Sequence, residues 1–79
     1  MNVQEIGKMI RFHRKKSGLS QEAFGHLAGL GKTVIFDIEK GKSTIRFDTL
    51  LKVLKVLNIT IEFQSPLMHS FEKGLNENS

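Results

Sequence analysis

The sequence predicts a mainly α domain, four short helices followed by one short β-strand, in a single unit of 79 residues. Three observations carry this expectation. Apolar residues recur at helical spacing through the first 57 residues, with glycines as punctuation. Two of the helical stretches are very short and are separated only by a turn around Gly29 and Gly31. Beyond residue 57 the period changes, and "NITIEFQ" alternates apolar with polar residues.

Each element has a local reason. Ile6, Met9, Ile10 and His13 define the apolar face of a first helix, with Lys8, Arg11, Arg14 and Lys15 elsewhere around it. Gly18 is a natural stop, and Lys15 and Lys16 suit the negative end of the helix dipole. Ser20 is a good N-cap for a second helix whose apolar face is Phe24, Leu27 and Ala28. A third helix runs from Lys32 to Lys40, turns Ile35 and Ile38 to the core and stops at Gly41. After the loop "KSTIR", a fourth helix places Phe47, Leu50, Leu51, Leu54 and Leu57 on one face, with Asp48 in its first turn.

In "NITIEFQ", Ile59, Ile61 and Phe63 alternate with Thr60 and Glu62, which is a strand signal. A lone strand cannot satisfy its own backbone groups. The simplest solution is pairing with its twin across a homodimer, which buries Ile59, Ile61 and Phe63 in the interface. The alternative is an extended tail laid over the helices. Pro66 and the polar ending "NENS" make residues 65–79 a flexible polar tail, so the folded unit is expected to span residues 1–64.

The totals narrow the function class. With 39% apolar and 25% charged residues the chain is ordinary globular protein. No apolar run approaches the roughly 20 residues of a membrane helix, and the first residues lack the order of a signal peptide. The absence of cysteine excludes disulfides and thiolate metal sites and fits a cytoplasmic chain. The net charge is +4 and unevenly spread. Residues 1–58 hold 11 Lys/Arg against 5 Asp/Glu, a net of +6, whereas residues 59–79 hold one Lys and three Glu, a net of −2. A basic body suggests a polyanion as partner.

"AGLGKT" looks like the tail of a nucleotide-binding phosphate loop, and three facts exclude that. The pattern needs glycine five positions before Gly31, where His26 stands. The preceding residues are helical in pattern instead of a strand, and 79 residues cannot supply the βα units of such a domain. His13, His26 and His69 lack metal-ligand spacing, and neither a nucleophile triad nor a carboxylate pair is supported. The chain is expected to be neither an enzyme nor a holder of metal or cofactor.

Two short helices joined by a glycine-containing turn form a helix-turn-helix, whose second helix enters the major groove. Here Leu19, Ser20, Gln21, Glu22, Gly29, Ile35, Ile38, Glu39, Gly41 and Lys42 match the pattern of a known family. Over residues 5–57 the chain resembles the lambda-repressor/Cro-type helix-turn-helix proteins, in their broad xenobiotic-response-element class. The resemblance implies a four-helix, lambda-repressor-like domain bound as a homodimer to double-stranded operator DNA. It puts Lys32, Thr33, Val34, Phe36 and Asp37 at groove-facing positions, for guanine (Lys32), thymine methyls (Thr33 and Val34) and cytosine N4 (Asp37). Phe36 either packs on thymine methyls or belongs to a protein interface. Gln21, Lys40 and Lys42 would contact phosphates, and Ser20 either shares a phosphate or only caps its helix. Glu39 would pair with Arg14 and tie the recognition helix to the first helix.

Two departures stand out. Gly31 replaces the usual Ser/Thr cap, and Gly25 replaces a small alanine, with an expected loss of about 0.5–1 kcal/mol for a mid-helix glycine. Residues 43–63 narrow the match, because a helix running into a short strand resembles the HipB-like antitoxins. That implies a repressor of a toxin–antitoxin operon with a HipA-like kinase toxin as second partner. A stand-alone phage or restriction-type repressor is the alternative, and a partner-neutralising module without DNA specificity is another.

Overall fold

A computed structural model describes residues 1–78. It contains α1 (Val3–Lys16), α2 (Gln21–Ala28), α3 (Lys32–Glu39), α4 (Phe47–Val56) and α5 (Met68–Asn78). Local chemistry sets the starts. Asn2 caps α1 by accepting the Glu5 N–H at 2.9 Å, and Ser20 caps α2 by accepting the Ala23 N–H at 3.0 Å. Gly31 opens α3 with no side-chain cap.

The first four helices end in one repeated device. A residue of positive φ follows each of them: Gly18, Gly29, Gly41 and, without a glycine, Asn58 at φ 56°. At α4 the Asn58 N–H returns to Lys55 O at 3.1 Å and the Ile59 N–H to Leu54 O at 2.9 Å. The same pair of bonds closes α1, α2 and α3. This is the Schellman closure, which satisfies carbonyls that the helix end leaves without partners.

These tight closures let four short helices share one core of Ile10, Phe24, Ile35, Ile38, Val53 and Leu54. The close helix pairs are α2 with α3, α1 with α3, and α2 with α4. α1 approaches α3 so nearly that a Cβ on Gly7 would stand 2.5 Å from Ile38 O. Gly25 is likewise required: a Cβ there would meet Leu30 O at 2.6 Å. Alanine at position 25 would therefore not recover the mid-helix glycine loss, because its Cβ would collide with the turn whose Leu30 N–H bonds Gly25 O at 2.7 Å.

Four expectations change. The core face of α4 is Leu50, Val53, Leu54 and Leu57, one step around from the predicted stripe, which leaves Phe47 and Leu51 exposed. Leu27 of α2 is also exposed, because α3 and α4 cover the Phe24 side instead. The predicted C-terminal strand is absent among the described residues. Ile59 keeps its place in the alternation but is the residue after the left-handed Asn58, so it folds back on the core as the apolar contact of the closure. Residues 59–65 form neither helix nor strand ladder. Finally, residues expected to be an unstructured tail form α5. Pro66 lies in the turn that opens it, where the Met68 N–H bonds Ser65 O at 3.2 Å, and a proline just ahead of a helix removes no helical bond.

Candidate nucleic-acid interface

The α2–α3 pair is positioned by a buried ionic knot. Arg14 of α1 donates from Nε to Glu39 Oε2 at 2.6 Å and from Nη2 to Oε1 at 3.0 Å, a bidentate pair. Its third nitrogen, Nη1, donates to Leu19 O at 2.7 Å and holds the α1–α2 connection. The side chains of Arg14 and Glu39 are 9% and 3% exposed, so this pair is shielded from solvent screening. The hydrogen bond to Glu39 raises the Arg14 pKa above its ordinary value, with its negative charge adding to that and burial opposing it. Gln21, the first residue of α2, donates Nε2 to Glu39 Oε1 at 3.2 Å. One carboxylate thereby joins α1, α2 and α3.

That knot fixes what α3 presents. Lys32 and Thr33 are exposed at its uncapped start. Phe36 follows on the exposed side, and Lys40 Nζ lies 5.5 Å from the Phe36 ring centroid. Asp37 is half-buried and pairs with Lys42 Nζ at 3.4 Å. Val34 is half-buried against the core, which turns part of its side chain away from any ligand. At the start of α2 the Ser20 oxygen accepts the cap bond and keeps its O–H free to donate, while the Gln21 amide has a second N–H beyond the one given to Glu39.

The structure adds three residues to this surface. Gln4, Lys8 and Arg11 line a cleft with Gln21, Phe36, Glu39 and Lys40, so three cations converge beside the exposed edge of α3. In the sequence Lys8 and Arg11 stood only on the polar side of the first helix. The available signal was their spacing from Gln4 by one helical turn and two, which lines one stripe of α1. Ile61 and Phe63 are exposed and Ile59 is half-buried; with Phe47, Leu51 and Leu54 they line an apolar groove along α4, remote in the chain from the α2–α3 pair.

A helix-turn-helix family model matches residues 10–64, which span α2, the glycine turn and α3 and include the whole of α4. The chain belongs to the helix-turn-helix family. Among its relatives is the HTH-type transcriptional regulator y4mF of Sinorhizobium fredii, 36% identical over 62 residues and covering 78% of this chain and 82% of the relative. The control protein C.SmaI of Serratia marcescens is 31% identical over 62 residues, covering 77% of this chain and 74% of the relative. The crystal structure of the restriction-modification controller protein C.AhdI from Aeromonas hydrophila superposes with a TM-score of 0.66 at 29% identity, over 73% of this chain and 84% of that one. α2 and α3 are the two helices of the helix-turn-helix motif, whose second helix in general enters the major groove. No helix among the described residues is long and apolar enough to cross a membrane.

Proposed function

We propose that the protein is a sequence-specific transcriptional repressor that binds a palindromic operator as a homodimer. One observation supports this above the rest: the Arg14–Glu39–Gln21 knot holds α3 so that Lys32, Thr33, Phe36 and Asp37 lie along one accessible edge flanked by cations. Lys32 would reach guanine O6/N7, Thr33 a thymine methyl with Val34 behind it, and Asp37 a cytosine N4 once Lys42 is shared with a phosphate. Ser20, Gln21, Lys40 and Lys42, joined by Lys8 and Arg11, would fix the register through backbone phosphates. Two protomers would place their α3 helices about one turn apart, roughly 34 Å, and repression would follow from occlusion of the promoter.

Between the two regulatory contexts, the stand-alone type has the better support. The antitoxin context rested on a strand after α4, which is not seen among the described residues, where Asn58 and Ile59 close α4. A control protein and a restriction-modification controller protein are among the similar proteins. Selection from a random duplex pool tests the proposal. An enriched inverted repeat is expected; enrichment of no motif, with binding of any sequence alike, would overturn sequence-specific repression.

A further inference from the structure

The chain from α4 onward carries more exposed apolar surface than the regulator's DNA contacts use. Of the 12 large apolar side chains exposed among the described residues, seven lie from Phe47 onward. They fall on two features. One is the groove along α4, floored by Leu51 and Leu54 and walled by Ile61 and Phe63. The other is α5 with the residue just before it, where Leu67, Phe71 and Leu75 recur every fourth residue and are 74%, 60% and 55% exposed.

Neither feature is self-sufficient. An isolated helix of 11 residues is marginal in water, so α5 needs a surface to cover its apolar stripe. Yet α5 takes part in none of the close helix pairs of its own chain. The segment leading to α5 supplies Ile59, Ile61 and Phe63 to the lining of the groove. The groove is open, apolar and bordered by Lys55, with Lys52 one turn away on α4. The segment that carries α5 is the acidic part of the molecule, with Glu72 next to Phe71 in the stripe.

We infer that α5 of one protomer seats in the α4 groove of a second copy, and reciprocally, so that the dimer is held by exchanged C-terminal helices. This rests on the homodimer in the reading above and names its interface. Phe71 and Leu75 enter the groove against Leu51 and Leu54, and Glu72 meets the Lys52–Lys55 edge. An isologous exchange of this kind buries both features twice and leaves neither exposed.

The absence of cysteine provides a clean test. Leu51→Cys and Phe71→Cys full-length proteins, each reduced, are mixed and oxidised, and the products are separated by mass. A heterodisulfide joining position 51 of one chain to position 71 of the other is the expected product. In the double variant L51C/F71C, an intrachain disulfide formed at concentrations where the protein is monomeric would show α5 covering its own groove and would overturn the exchange. Sedimentation equilibrium supplies the second measurement. The surface variant F71D/L75D, checked for native helicity, should dimerise about 100-fold more weakly. An unchanged dimer constant would sink the exchange while leaving the homodimer standing, whereas a wild-type chain that is monomeric when bound to its operator would overturn the homodimer itself.

Discussion

Glu39 is the residue on which most of the helix-turn-helix geometry depends. It receives two bonds from Arg14 and one from Gln21, and both ionic side chains are nearly withdrawn from water. A buried ion pair adds little net stability over apolar side chains of the same size, but removing one partner leaves the other charged and unpaired. Glu39→Gln is therefore expected to destabilise the fold by about 3–5 kcal/mol. That is a large share of the roughly 5–15 kcal/mol that holds a whole domain. Urea denaturation followed by circular dichroism measures it, and the double variant R14M/E39L should recover most of the loss. If the double variant were as unstable as the single one, the burial argument would be wrong. The raised pKa of Arg14 fixes the sign of its pH dependence: its contribution is complete below the arginine range and is lost only above it, so mild alkali should leave stability unchanged on this account. A different kind of change is expected at Lys32. It is exposed and has no place in the knot, so Lys32→Ala should relax base preference with little effect on stability. Binding to an operator set varied at one position at a time would read this; equal weakening on every sequence would remove Lys32 from the base-reading set.

At the scale of the elements, helix ends decide more than helix interiors. Asn58 closes α4 at φ 56°, a region in which a Cβ is strained and asparagine is tolerated better than most residues. Asn58→Ala should cost about 1 kcal/mol, measured as a lowered Tm, and should also loosen Ile59 from the core. Gly7→Ala should cost more, because its Cβ would meet backbone at 2.5 Å and force α1 away from α3. The same helix ends explain what the sequence could and could not convey. Gly18, Gly29 and Gly41 announce the stops of α1, α2 and α3 openly, and the capping residue Ser20 announces a start. Asn58 gives a weaker signal of the same kind, and the alternation of Ile59, Ile61 and Phe63 outweighs it. The pattern was real, but Ile59 serves the closure of α4, and a period of two over five residues cannot distinguish a strand from an extended connection. α5 was hidden for a related reason: one proline and a polar ending suggest disorder, whereas Leu67, Phe71 and Leu75 recur at the spacing of a helix face. The cleft that gathers Lys8 and Arg11 beside Lys40 depends on how α1 crosses α3, and that crossing is set by Gly7 and the Arg14–Glu39 pair, contacts between residues far apart in sequence.

For the whole molecule the governing quantity is charge. The basic segment, residues 1–58 with a net of +6, holds the helix-turn-helix, while the acidic one, residues 59–79 with a net of −2, holds α5. This separation gives each proposed partner its own sign of surface: DNA meets cations, and the second copy meets an apolar surface with acidic edges. It also makes the DNA contact measurable in salt. Lys8, Arg11, Lys40 and Lys42 from two protomers amount to about eight phosphate neutralisations, so log Kobs should fall with log salt at a slope near −7. Between 50 and 200 mM salt that is about a 10⁴-fold loss of affinity. Fluorescence anisotropy on the selected operator would measure the slope. In the variant K8A/R11A the slope should become shallower by about 3 to 4 while base preference is kept, since four of the eight contacts would be gone. A wild-type slope near zero would exclude backbone phosphates as the main source of affinity. A normal wild-type slope that K8A/R11A left unchanged would instead remove the α1–α3 cleft from the interface and confine the DNA contacts to α2, α3 and the residues just after it.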